Sequence, residues 1–224
     1  MGSAVGEMLP LAIGIAISPL AIVAVILILT TSRARTNGPA FLGGWLLGLA
    51  VVGGVALVVT DAAESADTSG PRTVVALLKI ALGVALLVLA WRGFRGRPRP
   101  GEEAPLPKWM AALDRFTPAR SVAVGALFGG LKPKNLILTA AAAAGIAQSG
   151  LGGVQQLVVL LLLVLVASIG IIAPVAIYFL KGEEKAARVL DAWKTWLQAN
   201  DTTVMIVLFV VFGVVLIGKG IGGL

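Results

Sequence analysis

Hydrophobic and polar positions along this chain alternate in blocks of tens of residues. Six long apolar runs, at about 8–29, 40–60, 73–91, 121–147, 154–180 and 202–217, are separated by shorter polar stretches. Several approach or exceed the ~20 residues with which a helix crosses the hydrocarbon of a bilayer. The pattern predicts an all-α polytopic membrane protein with six transmembrane helices. Small residues recur four apart in the second and fourth runs, Gly44 with Gly48 and Gly125 with Gly129, a spacing that lets helices approach closely.

Two stretches carry a shorter period. In 183–198, Ala186, Val189, Leu190, Trp193, Trp196 and Leu197 fall on one helical face and charges on the other. That predicts a helix lying in the interface before the sixth span. Lys108 to Arg115 reads as a second, short amphipathic helix, with Trp109, Leu113 and Phe116 in phase. Asp61 to Arg72 reads as a short acidic loop, and Arg92 to Pro100 as a basic, proline-rich linker.

The first and fourth runs are interrupted. Ser18-Pro19 lies about ten residues into the first, and Gly129-Gly130-Leu131-Lys132-Pro133-Lys134-Asn135 lies inside the fourth. Proline removes a backbone donor and clashes with the preceding turn. A lysine at bilayer depth costs roughly 2.5–3.5 kcal/mol on insertion scales. A helix broken there exposes polar backbone, which protein or a wet cavity must cover. Pro174 predicts a kink in the fifth span.

The interruptions also match each other. Ile17-Ser18-Pro19-Leu20 parallels Leu131-Lys132-Pro133-Lys134, and Leu82-Gly83-Val84-Ala85-Leu86 parallels Phe212-Gly213-Val214-Val215-Leu216. A unit of three spans is odd, so its second copy must be inverted. The expected architecture is two inverted three-helix repeats, 1–92 and 121–224. A basic cytoplasmic linker with a short amphipathic helix, 93–120, joins them, and the interfacial helix 183–198 lies within the second. In transporters built this way the cargo site lies near the midplane at paired broken helices.

Charge sets the orientation. The net charge is +7, from 18 basic and 11 acidic residues. Thirteen of the basic residues fall in the loops after spans one, three and five. Arg72 and Lys219 fall on the other side, and Lys79, Lys132 and Lys134 fall within spans. This bias predicts an inner-membrane, multi-pass protein with both termini outside; it does not point to nucleic acid. The acids are read in loops or at span ends, none deep in a span. No basic segment precedes the first apolar run, so no cleavable signal peptide is expected. Cysteine and histidine are absent. Without them or a buried acid there is no triad, thiol carrier or imidazole metal site, so neither enzymatic activity nor a metal or other cofactor is expected.

The candidate site follows from the interruptions. Lys132 and Lys134 read as cationic ligands for a sulfate, phosphate or carboxylate, helped by the free amides of a half-helix N-terminus; the other reading has Lys132 snorkelling to an interface. Asn135 either contacts cargo or caps the restarted helix. Ser18 and Pro19, with Pro133 opposite, form the paired breaks and act by contact or as hinges. Lys79 lies six residues into the third span and either lines the cavity or snorkels. Trp91, Trp109, Trp193, Trp196 and Tyr178 read as anchors at the inner interface. A cationic, acid-free interior favours an anionic or zwitterionic cargo over a metal cation.

Ser18-Pro19-Leu20-Ala21-Ile22, Asn37-Gly38-Pro39-Ala40-Phe41-Leu42-Gly43-Gly44-Trp45 and Lys132-Pro133-Lys134-Asn135-Leu136 resemble the GAP family. This family comprises the glycopeptidolipid- and sulfolipid-addressing (Sap-like) proteins of actinobacteria, within the LysE transporter superfamily. The resemblance covers nearly the whole chain. The family usually reads Asn-Pro-Lys-Asn at the last motif; Lys132 replaces the first Asn and adds a charge. The resemblance implies a six-helix inner-membrane protein moving lipids or lipid-like cargo outward. The expected partners are the bilayer and a lipid or glycolipid cargo, and a homodimer is allowed. The expected function is export of an anionic lipid or glycolipid by alternating access. Export of a small polar solute such as an amino acid, or a non-transporting scaffold for lipid biosynthesis, are the alternatives.

Overall fold

A computed structural model describes residues 1–65, 70–96 and 116–224. Among these the chain is helical, in the order α1 (Gly2–Ala16), α2 (Pro19–Leu29), α3 (Ala34–Ser65), α4 (Gly70–Arg95), α5 (Pro118–Ala126), a π-helical turn (Leu127–Leu131), α6 (Pro133–Ala147), α7 (Gly153–Ala167), α8 (Ile169–Lys181) and α9 (Glu183–Ile221). Three helices, α3, α4 and α9, are long and apolar enough to cross a membrane. The bent pairs α1–α2 and α7–α8 bring the number of candidate spans to as many as five. Only 28%, 28% and 22% of the most apolar windows of α3, α4 and α9 is buried. Their Val51, Val55, Val58, Leu77, Val207 and Val214 point outward, as lipid-facing residues of a multi-pass protein do.

The centre is built from the two half-helices that follow the interruptions. Nearly every residue of α2 from Pro19 to Leu29 is buried, as are most of those from Lys134 to Ala147 in α6. A helix apolar all round belongs inside a bundle. Around this centre, α3 packs along α5, the π turn and α6, while α7 and α8 pack along α1 and α2. The most extensive contact joins α4 and α9.

Glycine makes the closest of these contacts possible. A Cβ on Gly125 or Gly129 would run into the backbone of Phe41 or Trp45 in α3, and one on Gly44 or Gly48 into that of Val122 or Ala126. The four-residue spacing is thus a backbone-to-backbone seam. Gly83 and Gly213, the glycines of the matched Leu-Gly-Val and Phe-Gly-Val motifs, abut each other's carbonyls across the α4–α9 contact.

Several elements differ from the sequence expectation. The fifth run bends by 58° at Ser168. The Ser168 hydroxyl donates to the Val164 carbonyl at 2.6 Å, a back-bond that bends helices. Gly170 beside it lets the Ala16 backbone approach. The segment 183–198 is not a separate helix: it continues into the sixth span as α9, 39 residues without a break. No glycine or proline occurs between Glu183 and Phe212. Thr195 and Asn200 turn their side chains back onto the carbonyls of Asp191 and Trp196 and leave the helix intact. The loop after α3 is shorter than 61–72, because α3 reaches Ser65 and α4 starts at Gly70. Tyr178 is buried and so is no exposed anchor, whereas Trp91, Trp193 and Trp196 are exposed. The expected short helix at 108–115, with Trp109, lies outside the described residues.

Candidate functional site

Both interruptions have the same local construction. α1 ends at Ala16, and the chain restarts as α2 with Pro19 at its first position, bent by 54°. The π turn ends at Leu131, Lys132 is extended, and α6 restarts with Pro133 at its first position. Proline suits that position because its missing N–H has no partner to lose. The two prolines therefore begin helices and do not kink them. Neither Ser18 nor Lys132 caps its restarted helix through its side chain.

Lys134 joins the two interruptions. Its Nζ donates to the carbonyl oxygens of Gly14 at 2.5 Å, Ile17 at 2.8 Å and Ile15 at 3.5 Å. These are the carbonyls that a terminating helix leaves without partners, at the negative end of the α1 dipole. The side chain is 1% exposed. All three ammonium donors have an acceptor, and three polar atoms of the break are covered without water.

Asn135, 0% exposed, donates Nδ2 to the Phe128 carbonyl within the π turn at 2.8 Å. It therefore acts on the turn that precedes the restart; the alternative of accepting an amide as a cap is not what it does. Its Oδ1, and Oγ of buried Ser18, have no hydrogen-bond partner among the described residues. Two polar atoms beside the breaks are thus left available.

Lys132 is different from Lys134. It is half-buried, its ammonium stands 5.9 Å from the centroid of the Phe128 ring, and no hydrogen bond or ion pair engages it among the described residues. A cation–π contact of that kind holds a charge without saturating its donors. Its charge acts on Lys134 on one side and on Asp201 on the other.

Asp201 is a charged neighbour of Lys132 that the sequence reading did not place beside the site. It lies in the interior of α9, half-buried, with Oδ1 buried and without a hydrogen-bond partner among the described residues. The sequence reading put Asp201 at the edge of the sixth span, and α9 runs through it without a break. The polar cluster Asn200-Asp201-Thr202-Thr203 resembles a loop, and only the lack of glycine and proline around it betrays a continuous helix.

Lys79 lies apart from this group. Its Nζ donates to Gln148 Oε1 at 2.8 Å, just past the end of α6. It lines a crevice of about 10 Å³ with Glu7, Ala142 and Lys219, room for no more than about one water. Lys219 forms an ion pair with Glu7 at 3.5 Å across the same crevice. The structure thus gathers Ser18, Pro19, Lys132, Pro133, Lys134 and Asn135 around the paired breaks and leaves Lys79 at a closed seam. Asn37 of the Asn-Gly-Pro motif is 1% exposed and donates Nδ2 to the Phe116 carbonyl at 2.9 Å. It tethers the start of α3 to the entry of α5.

No cluster of acid side chains able to hold a metal occurs among the described residues. The class defined by this fold is a multi-pass helical membrane protein with interrupted helices packed against each other. Within it, the family model described as Sap, sulfolipid-1-addressing protein, matches residues 8–222. The chain belongs to that family. No curated protein and no solved structure matches it.

Proposed function

We propose that this protein moves an anionic lipid or glycolipid across the inner membrane, with the headgroup held at Lys132 between the two interrupted helices. The observation that carries the reading is the division of labour between two lysines. Lys134 is consumed by three carbonyls, whereas Lys132 keeps its donors unengaged beside the break. The family's name refers to a sulfolipid, and a sulfate ester is a singly charged oxyanion that an ammonium recognises by charge-assisted hydrogen bonds.

Alternating access between two inverted three-helix halves, in six spans, is the mechanism we propose. Proline at the first position of both restarted helices supports it. So do the α3 and α7–α8 packing, each against the other half's interrupted span, and the mutual contact of Gly83 and Gly213. A pseudo-two-fold axis brings equivalent residues together in this way. With both termini outside, as the basic loops predict, the Glu7–Lys219 ion pair and the Lys79–Gln148 hydrogen bond close the outer side. Cargo then enters from the inner leaflet, and the cycle opens that seam. No chemical step is required of the protein.

The test is lipid translocation in proteoliposomes, with fluorescent phosphatidylglycerol as an anionic probe and fluorescent phosphatidylcholine as its neutral comparison. Lys132→Gln should slow movement of the anionic probe about tenfold, as the loss of a charge-assisted hydrogen bond implies, while leaving the thermal unfolding midpoint unchanged. Wild-type rates in the variant would refute the site.

A further inference from the structure

A cavity of about 550 Å³ lies at the turn between α2 and α3. That volume is in the range of small-ligand sites. Arg33 and Arg35 line it with the hydroxyl-bearing Thr31, Ser32 and Tyr178. No acidic side chain is among its lining residues. Arg33 is exposed and pairs with no carboxylate among the described residues. The cavity is also amphiphilic: Leu29 and Leu190, both buried, and Ala187 form its apolar wall.

A cavity made only to hold a free ion needs no such wall, and a basic loop made only to orient the chain needs no cavity. The first turn of α3 starts at Ala34 between the two arginines, which adds the positive end of a 32-residue helix. We infer that this cavity is an inner-leaflet recognition site for the phosphate or sulfate ester headgroup of a lipid, taken up before the cargo reaches Lys132. It rests on the transport reading for its order of events, but not for the binding itself. The Arg33 guanidinium fork matches the oxyanion geometry, Arg35 adds a second positive charge, the Ser32 hydroxyl supplies a further hydrogen-bonding position, and the apolar wall meets the first carbons below the headgroup.

The experiment uses the full chain in nanodiscs of phosphatidylcholine doped with phosphatidic acid, and counts retained phosphatidic acid by native mass spectrometry. Wild type should retain it, and Arg33→Gln with Arg35→Gln should lower retention about tenfold, as expected for lost charge-assisted hydrogen bonds. Ala187→Phe keeps every charge and fills the cavity, and should lower retention as much. Ala187→Leu serves the same purpose should the larger ring impair folding. Arg188→Gln, outside the cavity lining, should retain lipid as wild type does. Retention that survives filling of the cavity would reduce the effect to general surface charge and overturn the inference. Retention of inorganic phosphate in discs of phosphatidylcholine alone, with no phosphatidic acid retained from the doped discs, would assign the cavity to a free oxyanion and overturn the lipid assignment. Lys132→Gln should keep phosphatidic acid retention while translocating more slowly. A wild type that binds but never translocates would therefore refute the transport reading alone.

Discussion

Two lysines separated by one proline have opposite fates. Lys132 is extended and precedes α6, whereas Lys134 lies in the first turn of that helix. The second turns into the bundle and reaches the end of α1, and the first stays at the edge of the break. Burying an ammonium costs several kcal/mol after relaxation, and three charge-assisted hydrogen bonds at about 1.5–3 kcal/mol each offset that. Replacement of Lys134 by Met should therefore destabilise the fold, by at least about 3 kcal/mol if each orphaned carbonyl costs about 1. A clear drop in the unfolding midpoint in detergent checks this, and a stable, inactive Lys134→Met would return Lys134 to the cargo site. On the proposed reading, Asp201 offers the nearby negative charge with which an anionic headgroup competes for Lys132. Asp201→Asn should slow release of the headgroup from Lys132, measured as dwell of the fluorescent phosphatidylglycerol; unchanged dwell would remove Asp201 from the cycle. The position of these charges was legible in sequence because lysine and proline do not belong together in a plain span. Their separate roles were not, because they depend on which side of the restarted helix faces α1.

At the scale of elements, the interruptions and the close-packed glycines were readable, and the continuity of α9 was not. Glycines four apart mark a seam whatever the partner, since only the missing Cβ matters. Gly129→Leu should therefore separate α3 from the π turn and lower stability, whereas Gly145→Leu, with open space at its Cβ, should be tolerated. Comparing their unfolding midpoints decides this. The bend of the fifth run shows the opposite difficulty. Pro174 was the visible signal, but the hydroxyl of Ser168 and the close approach at Gly170 place the bend six residues earlier. Ser168→Ala should relax the 58° angle more than Pro174→Ala does, as a change in distance between spin labels on α7 and α8.

For the whole molecule, the absence of cysteine makes topology directly measurable. Single cysteines at Thr31 and at Gly2 should react with a membrane-impermeant maleimide from opposite sides, Thr31→Cys from the inner side and Gly2→Cys from the outer. Same-side labelling would refute the inverted arrangement. Hydropathy predicts six spans, whereas the lengths and apolarity of the helices give three, or up to five with the bent pairs counted, and the α5–α6 segment is not among them. The segment most central to the proposed activity is the one that least resembles a membrane span.

The Lys134 bridge also bears on how the chain is made. The carbonyls at the end of α1 leave the ribosome more than a hundred residues before the side chain that satisfies them, which donates to Gly14 from 120 positions downstream. Until then the nascent first half carries raw peptide groups that lipid cannot solvate. It must wait in a sheltered insertase or beside water, and a fragment ending at residue 115 should be cleared by proteolysis. Supplying 116–224 from a second message should rescue it, and should fail to do so when that piece carries Met at position 134.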